Sequence, residues 1–168
     1  ALAEMIQRGL PIRCVALGGV GGYDTHASQA SQLSANLKAT VDGLAAFQAD
    51  IEARGIADRV LVKVWSEFGR RPKENGSSAD GSGTDHGAAG VAFLMGTRVN
   101  SHVNGNGVHD GVVGGFGGMT NVDKDGNLRN TSDFRTVYSA LVDQWLGGDP
   151  AAVIPIRPSI ELPRLVAA

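Results

Sequence analysis

Each of three short segments carries side chains that bind cations or contact anions: Asp24 with His26, Glu67 with Arg70, and Asp85 with His86. Carboxylate oxygen and imidazole nitrogen are donors that suit Zn²⁺, Mn²⁺ or Fe²⁺. The sequence therefore predicts one or two divalent cations, with zinc as the first choice and Mn, Fe, Mg or Ca as alternatives. The predicted ligands are Asp24, His26, Glu67, Asp85 and His86.

Each segment also has a simpler interpretation when it is considered alone. Asp24 can cap the following helix, which would leave His26 as an ordinary surface residue. Glu67 can form an ion pair with a neighbouring arginine. Asp85 can close a turn through its side chain. Their joint occurrence beside three predicted strands is what favours a metal centre over these alternatives.

The elements that must position these segments can be predicted from apolar patterning. Residues 12–17, 60–65 and 91–95 are predicted strands, and residues 27–54 form a predicted helix that ends at Gly55. A strand, a helix and a second strand in this order predict a right-handed crossover in a parallel sheet. The fold class is therefore predicted to be α/β, with flanking helices and a ligand crevice at the carboxyl ends of the strands.

The remaining segments complete one predicted domain over residues 1–168. Residues 1–9 end a helix, and residues 69–89 are predicted to form a polar loop. Residues 99–132 are rich in glycine and asparagine. A further helix is predicted from Ser132 or Asp133 to Trp145, followed by an extended, proline-rich tail.

Composition excludes several classes of function. The net charge of -2 gives no electrostatic basis for binding nucleic acid or an anionic membrane. No apolar run approaches the roughly 18 residues that a membrane span needs. Cys14 is the single cysteine, so an internal disulfide and a thiolate metal cage are both excluded. Oligomeric state is left open by the sequence.

Four motifs together resemble a known family. They are Gly-Gly-Tyr-Asp-Thr-His at 21–26, Ser-Glu-Phe-Gly-Arg-Arg at 66–71, Gly-Thr-Asp-His-Gly at 83–87 and Asp-Phe-Arg-Thr-Val-Tyr at 133–138. In this order they resemble domain of unknown function 1501, which is placed in the alkaline-phosphatase-like superfamily with sulfatases and phosphoglycerate mutases. The resemblance extends from about residue 10 to residue 146.

The resemblance implies a two-metal site in an alkaline-phosphatase-like α/β fold. Asp24, His26 and His86 match the ligands of one cation. The place of an Asp–His pair for the second cation is taken by Glu67 and Phe68, and a phenyl ring cannot ligate a metal. The resemblance places the superfamily's nucleophile on an N-terminal strand that this chain is expected to lack, so the chain is expected to be a C-terminal portion of a longer protein. Family members often carry a twin-arginine signal, which implies an exported parent.

The hypothesis for function is a metal-dependent hydrolase of small phosphate or sulfate esters. Glu67 is expected to hold or bridge to the second cation, and Arg70 is expected to orient the anionic substrate. His102 and His109, in the glycine-rich segment, are weaker candidates for covering a substrate. The alternative is a non-catalytic binding or structural module that the metal stabilises.

Overall fold

The computed structural model describes residues 1–18, 20–76, 82–100, 115, 117–155 and 163–167. In these ranges the helices are α1 (Leu2–Gln7), α2 (Gln29–Ala53), α3 (Phe134–Gln144) and α4 (Pro150–Val153). The strands are β1 (Val62–Val64), β2 (Gly69–Glu74), β3 (Thr84–Gly87) and β4 (Phe93–Met95), and a 3₁₀ turn at Ala57–Arg59 precedes β1. The long helix and the helix near Trp145 are thus confirmed as α2 and α3. His102 and His109 lie outside the described residues.

The first two helices are joined around a small core. Ile51, near the end of α2, is fully buried and packs with Ala3, Ile56 and Ala57. Gly55 has a φ of 67°, a left-handed conformation that ends α2 and turns the chain toward β1. The earlier part of the predicted apolar face is more open, since Val41 is exposed. The long helix is therefore anchored mainly by its C-terminal end.

The predicted parallel sheet is wrong. β1 pairs with β4 in antiparallel register, with Val62 opposite Met95 and Val64 opposite Phe93. β2 pairs with β3, also antiparallel, so the described residues form two separate two-stranded sheets. The apolar segment 12–17 forms no strand and is largely exposed. The described ranges therefore contain no parallel crossover and no alkaline-phosphatase-like core.

The second sheet replaces the polar loop that was predicted at 69–89. Its strands are polar, so they lack the apolar alternation that identifies a half-buried strand in a sequence. Glycine makes the pairing possible: a Cβ at Gly69 would lie 1.7 Å from the Ala89 carbonyl oxygen. A Cβ at Gly87 would lie 2.7 Å from the carbonyl carbon of Arg70. Close backbone approach, rather than apolar burial, defines this β2–β3 hairpin.

A second core joins α3, the β1–β4 sheet and the C-terminal segment. Its buried residues are Ala140, Leu141, Leu165 and Val166. The Gln144 side chain donates to the Pro163 carbonyl oxygen and accepts from the Leu165 amide, both at 2.8 Å. The prediction of an extended tail from Pro150 is wrong at its start, where residues 150–153 form α4, whereas residues 163–167 do pack against α3. None of the helices in the described part of the chain is long and apolar enough to cross a membrane.

Candidate metal centre

The loop before α2 presents Asp24 and His26 on its exposed side. Thr25, between them, is buried, which is the alternation that an extended segment produces. The loop is fixed to α2 because the Tyr23 hydroxyl donates to the Asn36 carbonyl oxygen at 2.8 Å. Asp24 does not cap α2, since Ser28 occupies the N-cap position. The carboxylate of Asp24 is therefore available for another role.

The β2–β3 hairpin brings His86 to this loop. His86 Nε2 lies 2.7 Å from Asp24 Oδ1, and His26 Nε2 lies 3.0 Å from the same oxygen. One ligand atom from each of Asp24, His26 and His86 lies within 4.8 Å of the others. Asp24 and His26 come from one loop and His86 comes from β3, far along the chain, and together the three side chains form a cluster whose atoms could hold a metal ion.

The neighbouring imidazoles lower the pKa of the Asp24 carboxyl below its ordinary value. The hydrogen bond from His86 is the main cause that lowers the pKa of Asp24, with further contributions from the charges of His86 and His26 and a hydrogen bond from His26; desolvation opposes them. An ionised carboxylate only accepts hydrogen bonds, so both Nε2 atoms act as donors to it. Asp24 thus holds the two imidazoles together.

Aromatic packing fixes the ring of His86. The Phe68 ring is stacked on it, with centroids 3.8 Å apart and an angle of 9° between the planes. On the other side of the cluster, the His26 and His86 rings are 5.0 Å apart. Phe68 was recognised in the sequence only as a residue that cannot ligate, so its contact with His86 was missed. No spacing rule would have identified this contact.

Arg70, in β2, is paired with His86 and contacts the backbone on both sides of the cluster. Its guanidinium donates to the Thr84 carbonyl oxygen and, at 2.7 Å, to that of Tyr23. One terminal nitrogen also lies 3.9 Å from Asp24 Oδ1. Arg70 therefore connects the loop before α2 to β3 and places positive charge beside the cluster. Its predicted role in orienting a substrate anion stays a prediction.

Glu67 and Asp85 lie outside the three-residue cluster. The Glu67 side chain is exposed and forms no hydrogen bond or ion pair within the described ranges. Asp85 Oδ1 lies 3.6 Å from Nδ1 of His26, on the side of the ring away from Asp24. A second cation at Glu67, with Asp85, stays a prediction. Neither side chain belongs to the gathered group of Asp24, His26 and His86.

Residues 2–113 match the family described as protein of unknown function (DUF1501). The chain belongs to this family. The matched range includes all six predicted site residues of this DUF1501 chain, whereas the motif at 133–138 lies beyond it. A search of the curated proteins and a search of the solved structures each found no match. The family description states no activity, so function has to be inferred from the cluster.

Gly83 is a position of the DUF1501 chain where sequence inspection gave no structural role. Residues Ala27 and Ser82 form an antiparallel bridge, and a Cβ at Gly83 would lie 2.4 Å from the His26 carbonyl carbon. The His26 carbonyl carbon is a backbone atom, and a Cβ is bonded directly to the backbone. Neither atom could therefore move aside as the end of a flexible side chain would. Glycine at 83 therefore lets the hairpin rest directly on the backbone of a predicted ligand.

We expect Gly83→Ala to reduce the free energy of unfolding by about 1–3 kcal/mol, because the added methyl group overpacks a backbone contact. Chemical denaturation measures this change. The matched control is Gly76→Ala, since a Cβ at Gly76 would meet nothing within 4 Å. Equal stability of the two variants would show that the hairpin does not rest on His26 as described.

Proposed function

We propose that Asp24, His26 and His86 bind one divalent cation, with zinc as the first choice, and that this centre hydrolyses phosphate or sulfate esters. The observation that carries the proposal is the gathering of one carboxylate oxygen and two imidazole nitrogens within 4.8 Å. Two nitrogens and one oxygen are a donor set that suits Zn²⁺. The same set also suits Fe²⁺ and Mn²⁺, which is why the metal must be identified by analysis.

The exposure of the three side chains favours a catalytic cation site over a purely structural one. The side chains of Asp24, His26 and His86 are 64%, 48% and 46% exposed. Catalytic zinc sites use three protein ligands and leave a position for water or substrate, whereas structural sites are closed by four. When bound, such a cation polarises an ester oxygen and lowers the pKa of a bound water to about 7.

The chain's own residues would divide the remaining tasks. Arg70, whose guanidinium lies 3.9 Å from the Asp24 carboxylate, supplies the positive charge that would draw an ester anion toward the cluster. Two of its N–H groups are used by backbone carbonyls, and the guanidinium has five. Glu67 directly precedes Phe68, the residue that stacks on His86, and its carboxylate is exposed. We assign Glu67 the role of a base or of a bridge to a second cation.

The ester class rests on the motif resemblance to the alkaline-phosphatase-like superfamily. The antiparallel sheets do not reproduce that superfamily's parallel core, so no step is transferred from its fold. What supports the class within this chain is the combination of an anionic ligand, two imidazoles and a neighbouring guanidinium. An anionic ester could contact both the cation and Arg70 at such a site.

Metal analysis combined with an ester screen tests the proposal. We expect one zinc per chain after supplementation, and hydrolysis of p-nitrophenyl phosphate or p-nitrophenyl sulfate above background. Asp24→Asn should abolish both, because it removes the anionic ligand. Asp42→Asn is the matched control, since Asp42 is exposed on α2 and, among the described residues, pairs only with Lys38, at 2.6 Å. A chain that binds none of Zn, Mn, Fe, Mg or Ca would refute the proposal.

A second candidate is a non-catalytic module that the cation stabilises. It is favoured by one observation: the ligands join the loop before α2 to β3, so a bound cation would hold two distant segments together. In that case zinc should raise the free energy of unfolding while both esters stay intact. Hydrolysis that is lost in Glu67→Gln would instead favour the enzyme.

A further inference from the structure

The two ring nitrogens of His26 face two different carboxylates. Nε2 lies 3.0 Å from Asp24 Oδ1, and Nδ1 lies 3.6 Å from Asp85 Oδ1. In the proposed cation site we take Nε2 as the ligand atom of His26, because it is the nitrogen that faces Asp24. A neutral imidazole that gives the lone pair of one nitrogen to a metal carries its proton on the other nitrogen. The N–H that remains on His26 would therefore point toward Asp85.

Asp85 is itself held in position. The side-chain amide of Asn75 donates to Asp85 Oδ1 at 3.2 Å. Gly83 fixes Asn75 in turn through two hydrogen bonds. The backbone N–H of Asn75 donates to the Gly83 carbonyl oxygen at 3.1 Å, and the side-chain Oδ1 of Asn75 accepts from the backbone N–H of Gly83 at 3.2 Å. Gly83 also rests on the His26 backbone. The Asp85 carboxylate and the His26 imidazole are thus both positioned by the contact between the Gly83 and His26 backbones.

The 3.6 Å separation is slightly longer than a hydrogen bond. A movement of about 0.5 Å brings it into the range of an N–H···O bond. Binding of a cation by Nε2 would turn the His26 ring only slightly, because Asp24 and His86 already lie on that side. Asp85 lies outside the group of three ligand atoms and faces Nδ1 of His26, not Nε2.

We propose that Asp85 is a positioning residue, which accepts a hydrogen bond from Nδ1–H of His26 and so orients that ring toward the cation without ligating it. The inference rests on the proposed cation site and adds a residue to it. Outer carboxylates of this kind fix the tautomer of a metal-bound imidazole and increase its basicity. Their loss weakens metal affinity by about 10–100-fold.

Zinc competition against a chromophoric chelator tests this role in the purified chain. We expect Asp85→Ala to weaken zinc binding by about 10–100-fold. Asp85→Asn should restore part of the loss, since an amide oxygen still accepts from Nδ1–H. Asp42→Asn serves as the control for the loss of a surface charge. Unchanged affinity in Asp85→Ala would overturn the inference.

Two spectroscopic measurements separate positioning from ligation. The Co²⁺ spectrum of Asp85→Ala should keep the bands of the wild-type chain, because the coordination number does not change. Long-range ¹H–¹⁵N spectra of the zinc form should place the His26 proton on Nδ1. A changed coordination number, or a proton on Nε2, would overturn the role proposed for Asp85.

The same titrations distinguish this inference from the proposed function. If the wild-type chain binds no zinc, both are refuted. If the wild-type chain binds zinc and Asp85→Ala binds it equally well, only the role of Asp85 is refuted. Hydrolysis is not needed for either conclusion, so the inference is tested even where no ester is cleaved.

Discussion

Replacing His86 by alanine should weaken zinc binding by at least about 100-fold, or about 2.8 kcal/mol. Loss of a residue that only hydrogen-bonds a metal ligand lowers metal affinity by about 10–100-fold. His86 is proposed to contribute a ligand atom directly, so its loss should cost at least as much. The cluster would retain only Asp24 and His26, which lie on one loop. Isothermal titration or competition with a chelator measures the difference between the two chains.

Stability provides an independent measurement of the same effect. A ligand at 100 times its dissociation constant stabilises the folded state by about 2.7 kcal/mol. Zinc at 100 times the dissociation constant of the wild-type chain should therefore raise the free energy of unfolding of that chain by about 2.7 kcal/mol. At the same zinc concentration, the stability of His86→Ala should be almost unchanged. Because Phe68 stacks on His86, circular dichroism must show that the variant keeps its helices. Tight zinc binding by a folded His86→Ala chain would refute the ligand set.

The helices could be predicted because their signals are local. α3 begins after Asp133, whose side chain accepts from the Arg135 amide at 2.8 Å, as the sequence of a helix N-terminus suggests. α2 ends at a glycine with positive φ. Strand direction is not a local property, and the apolar residues of β1 and β4 would suit either orientation. The parallel arrangement was inferred from strand order alone, and the pairing of Val62 with Met95 overturns it.

The cluster could be predicted only in part, for a related reason. Residue type marked Asp24, His26 and His86 as candidates, and the structure brings them together. It does so through a hairpin in a segment that was predicted to be a loop, not through parallel strand ends. Contacts such as Phe68 with His86, or Gly83 with His26, depend on backbone approach between distant segments. A single sequence carries no signal for such contacts beyond the presence of glycine.

Ile51→Ala should reduce the free energy of unfolding by about 2–5 kcal/mol, because it removes a large aliphatic side chain from a buried site. Ile51 is fully buried and connects α2 to Ala3, Ile56 and Ala57. Ile51 is the buried residue of α2, and most of the rest of this helix is exposed or half-buried. Urea denaturation monitored by circular dichroism measures the change in the midpoint, with an unchanged slope showing that cooperativity is kept.

The matched control is Leu37→Ala in the same helix, where the side chain is 46% exposed. Its effect should stay within about 0.5 kcal/mol, as is usual for a surface position. Because the cluster depends on the other end of α2, through Tyr23 and Asn36, zinc affinity measured below the unfolding transition should be the same in both variants. Equal destabilisation by the two substitutions would mean that α2 is not anchored at Ile51. Weaker zinc binding in folded Ile51→Ala alone would mean that the core and the cluster are coupled.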